Sequence, residues 1–226
     1  MGRGRVTGMD RASAAPLADE AVPAPESRGE RKGRTRRAIM DAALVLCEDS
    51  SLVALSLRQV AKEVGIVPTA FYRHFSSIDD LGLALVEESF VSLREMLRDV
   101  RRTDPTYRNI IDRSVEVLIE HTRSRHAHFA FIARERLAGP PGVRAAIRHQ
   151  IELVERELAT DLARLTDPEH WSTEDLHVLS NLIVTSMVGT TEAVVTARPE
   201  AEAAIIEHAR TQLRMMLVGA LNWRSG

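Results

Sequence analysis

The segment SLRQVAKEVGIVPTAFYRHF, residues 56–75, carries the pattern on which the rest of the chain is organised. Val60, Ala61 and Val64 form an apolar stripe over two helical turns, and the stripe ends at Gly65, a residue suited to terminating a helix. Ser56 is a candidate N-cap, and Gln59 three residues later completes a capping box. Ile66 and Val67 cross a turn, and Pro68 sits where a first-turn proline costs no helical hydrogen bond. The spacing therefore predicts a second helix from about Thr69. Phe71 and Phe75, four apart, share its buried face and leave Thr69, Ala70, Tyr72, Arg73 and His74 outside. Those outer side chains suit a nucleic-acid groove. Threonine offers a methyl and a hydroxyl, alanine can touch a thymine methyl, tyrosine and histidine can bond phosphate, and arginine can take phosphate or guanine. A short amphipathic helix with incidental polar residues fits the same positions when they are taken alone.

The flanking sequence favours the first reading. The formal charge of the 226-residue chain is only -2, yet Arg28, Arg31, Lys32, Arg34, Arg36 and Arg37 fall within ten residues, opposed only by Glu30. Nucleic-acid binding asks for such a local patch and not for a basic whole. A content of 44% hydrophobic residues suffices for a buried core. The single cysteine, Cys47, excludes an intrachain disulfide and fits a reducing cytosol. No apolar run approaches the ~18 residues of a membrane span, and MGRGRVTGMD lacks the apolar centre of a secretory signal. The expectation is a soluble cytoplasmic protein.

Residues 1–27, rich in Ala, Pro, Gly, Ser and charge, lack any apolar period and read as a disordered tail, a candidate DNA-contacting arm. A helix is expected from about Gly33 to Glu48, with Arg34, Arg36 and Arg37 crowding its start, where cations oppose the helix dipole by roughly 0.3–1 kcal/mol each. Leu52, Leu55 and Leu57 then join a small three-helix core. Ser77, followed by Asp79 and Asp80, caps a long helix that stays amphipathic through Leu81, Leu85, Phe90, Leu93 and Leu97 to about Arg101. Helices are expected after Asp104-Pro105 to about Arg123 and from His126 to Leu137. Another follows Gly139-Pro140-Pro141-Gly142 and runs to Thr166-Asp167-Pro168, another runs from Ser172 to Arg198-Pro199, and the last starts near Glu200. No strand-like alternation and no repeat is present. The fold class is all-α, with a helix-turn-helix domain over residues 28–78 and a larger helical domain over 79–226.

These segments carry a resemblance. The basic helix start, SLRQVAKEVGIVPTAFYRHF and the following SSIDDLGLAL are similar to TetR-type transcriptional repressors. TAFYRHF, DDLGLALVEES, FAFIARERLAGPPGVRAAI and QLRMMLVGALNW further resemble the FabR-type repressors of unsaturated fatty-acid synthesis genes. The resemblance implies about nine helices, a dimer built from the last two long helices, and a palindromic double-stranded DNA operator. It also implies no cofactor, and an effector of the long-chain acyl-CoA or acyl-ACP class. The candidate DNA-binding residues are Arg34, Arg36, Arg37, Ser56, Arg58, Thr69, Ala70, Tyr72, Arg73, His74 and Ser77. Phe90, Met96, Phe129, Ile132, Ile183 and Met187 are available to line an acyl channel. Arg134 and Arg136 are placed either to meet an acidic head group or to form structural ion pairs.

Two other readings remain open on sequence. The same repressor architecture could take a drug-like compound or another small hydrophobic ligand. An acyl-thioester enzyme is the other, but the chain has no Gly-x-Ser-x-Gly, no phosphate-binding glycine loop and no His-Glu-x-x-His. His121, His126 and His128 straddle a helix boundary without ligands at metal spacing, so no metal site and no catalytic residue is expected.

Overall fold

The computed structural model describes residues 27–103, 110–164 and 170–225, and among them every regular element is helical. The first helix, α1 (Arg28–Leu46), starts earlier than the apolar pattern suggested, because Ser27 and Glu30 form a reciprocal capping box at its head. Arg34, Arg36 and Arg37 consequently lie inside the helix, past the first turn. The expected opposition between these three cations and the helix dipole therefore does not arise.

A 3-10 turn (Leu52–Ala54) leads to α2 (Leu57–Val64), capped by the Ser56 and Gln59 pair and closed by Gly65 at φ 72°. That positive φ is the conformation in which a glycine C-cap is favoured. Next, α3 (Pro68–Phe71) carries its proline in the first turn but ends four residues before the expected Phe75. The Arg73 and His74 amides bond to the Ala70 and Phe71 carbonyls, tightening the end into a turn. The long α4 (Ile78–Thr103) begins where the Ser77 hydroxyl accepts the Asp80 amide, with Asp79 and Asp80 in its first turn.

Five further helices complete the described residues: α5 (Ile110–Ser124), α6 (His126–Ala138), α7 (Pro141–Ala163), α8 (Thr173–Thr196) and α9 (Pro199–Asn222). The expected tail over residues 1–27 lies, apart from Ser27, outside the described residues. So do Asp104-Pro105 and Thr166-Asp167-Pro168.

Two apolar clusters organise the packing. The larger takes Ile39 from α1, Val60 from α2, Phe71 and Phe75 around α3, and Leu81 and Leu85 from α4, then continues into Phe131, Val143 and Ile147. Apolar packing thus runs without a break across residue 78, where the two domains were expected to part. Gly82 makes this closeness possible. A Cβ at that position would stand 2.3 Å from Leu52 Cδ2 and 3.0 Å from Val143 Cγ2, so α4, the 3-10 turn and α7 meet where there is no side chain. The smaller cluster centres on Val115, Ile119 and Leu213.

Helix α8 stands out for its apolar character, although no uninterrupted apolar run of membrane-span length occurs in it. The central part of α8 is apolar enough, at a mean hydropathy of 1.4, for the helix to cross a membrane by length and composition alone. The reason is that α8 is apolar on two sides. Leu179, Ile183, Met187 and Val188 face an internal cavity, whereas Val178 and Leu182 are about half exposed on the outside.

Candidate DNA-reading head and ligand cavity

The turn between α2 and α3 and the residues after it present Val67, Thr69, Tyr72 and Arg73 to solvent, with Tyr72 61% exposed. Phe71 and Phe75 are buried beneath them and pack tilted at 5.7 Å. Ala70 and His74 are half-buried. The outward and inward sets therefore separate as the four-residue spacing of the phenylalanines demands.

The basic residues of α1 divide by role. Arg36 lies 4.1 Å over the Phe75 ring and donates to the His74 carbonyl at 2.9 Å, so it braces the end of the reading segment from behind. Arg37 pairs with Glu88 of α4. Arg34 and Arg58 are exposed. Ser56 and Ser77 hold helix N-termini with their hydroxyls, which fixes the entries to α2 and α4. Burial lowers the pKa of His74, with Lys32, Arg36 and Arg73 adding to the effect, and its Nδ1 is buried without a hydrogen-bond partner among the described residues. Both effects favour the neutral imidazole.

Below the head lies a cavity of about 960 Å3 lined from α4, α5, α6, α7, α8 and α9. Its walls are mostly aliphatic and aromatic. Phe90, Met96, Phe129, Ile132, Ile183 and Met187, the residues expected to line an acyl channel, all face it. Ile151, Leu158, Leu179, Leu213 and Leu217 line it as well, although sequence reasoning had not assigned them to it. Their only signal was the three- and four-residue helical spacing, which marks packed core and cavity wall alike.

The two arginines of α6 part company. Arg136 faces the cavity and is paired with Glu192 of α8 at 2.8 Å. Arg134 does not face it. One face of a helix cannot serve both directions, and Arg134 points to the other, where its guanidinium donates to the carbonyls of Cys47, Glu48 and Ser50. A head-group role for Arg134 is thereby replaced by a grip on the end of α1.

Glu135, fully buried beside Arg134, accepts the Leu52 amide at 2.9 Å through Oε1, while its Oε2 is buried without a partner among the described residues. Burial holds its carboxyl above the ordinary range, against the pull of the Leu52 amide and of Arg134. Burial also pushes the Cys47 thiol up to about 11, with the nearby Glu135 charge adding to it. Thus α6 lines the cavity on one side and holds the chain between α1 and α2 on the other.

A helix-turn-helix head continuous with a helical domain around a large apolar cavity defines a class of DNA-binding regulators. Residues 39–85 match the family of bacterial regulatory proteins, tetR family. Residues 39–85 thus carry a TetR-type helix-turn-helix head, set on an all-helical fold.

Solved structures share the whole architecture. The fatty acid degradation regulator FadR from Bacillus halodurans superposes with a TM-score of 0.66 at 14% identity, covering 84% of this chain and 97% of that one. A TetR-family transcriptional regulator from Streptomyces coelicolor gives 0.65 at 18% identity, covering 83% and 96%. The transcriptional regulator FadR from Bacillus subtilis, solved in complex with stearoyl-CoA, gives 0.61 at 13% identity, covering 80% and 96%. At these identities the likeness is one of fold.

Proposed function

We propose that this protein is a dimeric repressor of fatty-acid or lipid metabolism genes, whose hold on a palindromic operator responds to a long-chain acyl thioester. The observation that carries the reading is the cavity. At about 960 Å3 it stands at the upper end of the roughly 300–1,000 Å3 range of small-molecule sites. Its apolar walls suit an extended hydrocarbon chain more than a compact polar metabolite. The stearoyl-CoA complex of the Bacillus subtilis regulator, on a similar fold, and the resemblance of several segments to FabR-type repressors support the same ligand class.

The head reads DNA through Thr69, Tyr72 and Arg73, with Arg34 and Arg58 near the phosphates. The cavity communicates with it through α4, which lines the cavity with Phe90 and Met96 and reaches the head at Ser77, and through the grip of Arg134 and Glu135 on residues 47–52. A ligand that favours one arrangement of these helices by about 1.4 kcal/mol changes DNA affinity about tenfold.

Two measurements on the full chain test this. Palmitoyl-CoA should raise the melting temperature in a concentration-dependent way while coenzyme A alone does not. Equal stabilisation by both, or by neither, sinks the lipid reading. On DNA fragments selected by the protein from a random pool, Arg73→Ala should weaken binding by about tenfold or more, the worth of a charge-assisted contact. Unchanged affinity removes Arg73 from the reading surface.

A further inference from the structure

Next to the large cavity, between α4 and the junction of α5 with α6, lies a second cavity of about 30 Å3. It shares Phe90, Leu93, Phe129 and Ile132 with the large one as common walls. Its other walls are polar: Ser89 and Ser92 of α4, His121 of α5, Arg125 and His128.

The polar groups are arranged in pairs. Ser89 Oγ lies 3.0 Å from His128 Nδ1 and donates its hydrogen to the Leu85 carbonyl at 2.7 Å, so the histidine supplies the hydrogen between them. Ser92 Oγ lies 3.3 Å from His121 Nε2. The His121 ring is held edge-on against Phe129 at 5.6 Å. With Nε2 carrying the hydrogen, the Ser92 hydroxyl keeps its own hydrogen for a further acceptor. Arg125 stands exposed at the rim, and its guanidinium makes no hydrogen bond or ion pair among the described residues. Burial and the neighbouring Arg125 keep His121 neutral, so the rim arginine is the cation of the cluster.

We infer that Arg125 and Ser92, positioned by His121, form a subsite for the carboxyl end of an acyl chain whose hydrocarbon part lies in the large apolar cavity. The inference rests on the acyl reading of that cavity. An acyl chain in an apolar cavity leaves its terminal oxygen without water, and a buried oxygen needs a donor. The small cavity has room for a group about the size of a water molecule. It therefore accepts a carboxylate or a thioester carbonyl oxygen and excludes anything as bulky as the coenzyme. Arg136 is no rival for this role, since its guanidinium is already taken by Glu192.

The test uses full-length protein and three ligands of equal chain length: myristate, myristoyl-CoA and 1-tetradecanol. Affinities are measured by titration calorimetry for the wild type, Arg125→Gln and Ser92→Ala. The wild type should prefer myristate to the alcohol by about tenfold or more, as expected of one charge-assisted hydrogen bond. Both variants should lose most of that preference while binding the alcohol as the wild type does. A loss confined to myristate identifies the free acid as the occupant, whereas a parallel loss for myristoyl-CoA places the thioester carbonyl there. If the preference survives both substitutions, or is absent from the wild type, the subsite is refuted and the acyl reading stands. If none of the three ligands binds, the acyl reading falls and the subsite falls with it. Melting temperatures close to that of the wild type confirm that both variants fold.

Discussion

Glu135 shows how one buried side chain links stability to solution conditions. Its folded pKa lies above the ordinary carboxyl value, so the folded state binds the proton more tightly than the unfolded chain does. The stability this shift contributes is fully present below the unfolded value and is lost as pH rises through the folded value. Glu135→Gln keeps an oxygen for the Leu52 amide and removes the charge. It should match or exceed the wild-type melting temperature at pH 8, by up to about 2–4 °C per kcal/mol recovered, and the difference should shrink at pH 5. Glu135→Ala leaves the Leu52 amide unpaired and should cost roughly 1–3 kcal/mol. Thermal melts across this pH range decide the matter, and a glutamine variant as unstable as the alanine variant would show that the charge is needed. Sequence alone marks Glu135 as one more charged residue beside two arginines. Only its burial makes it a titrating link between α6 and the head.

Among the elements, α6 carries the most consequence. It is short and has little amphipathic character, because its two faces both do work: Phe129, Ile132, Ala133 and Arg136 face the cavity, while Phe131, Arg134 and Glu135 face the head. Arg134→Ala removes donors to three backbone carbonyls at the end of α1. The variant should still be stabilised by palmitoyl-CoA, yet its DNA affinity should respond to that ligand several-fold less than the wild type's. Anisotropy titrations with and without ligand measure this. An undiminished response would leave α4 as the sole connection. The α2 boundaries were legible because Ser56, Gln59 and Gly65 are local signals that act within one turn. The early start of α1 was missed, since the apolar spacing that drew attention to it begins several residues after the cap at Ser27.

At the scale of the molecule, the outer surfaces of α8 and α9 are unusually apolar. Val178 and Leu182 on α8, and Met215, Val218 and Leu221 on α9, are half or more exposed, and among the described residues nothing comes within 4 Å of where a Gly189 Cβ would stand. A dimer through these two helices would cover them, and would set two reading heads one helical turn of DNA or a multiple apart. Introducing a charge by Met215→Glu or Val218→Glu should shift the protein from dimer to monomer in sedimentation analysis. Operator affinity should fall on the order of tenfold or more with it. A charged variant that stays dimeric would move the interface elsewhere.

The TetR-type head was readable in the chain because caps, a first-turn proline and a pair of phenylalanines four apart are decided by neighbours in sequence. The helical class followed from periodicity for the same reason. The cavity was foreseen only as a set of apolar candidates, since helical spacing cannot tell a side chain that packs from one that lines a void. The divergent roles of Arg134 and Arg136, two residues apart, depended on which neighbours each face of α6 meets, and those neighbours come from residues 47–50 and from α8. Contacts between distant parts of the chain leave no local pattern, so tertiary packing alone settled which arginine grips the head and which faces the cavity.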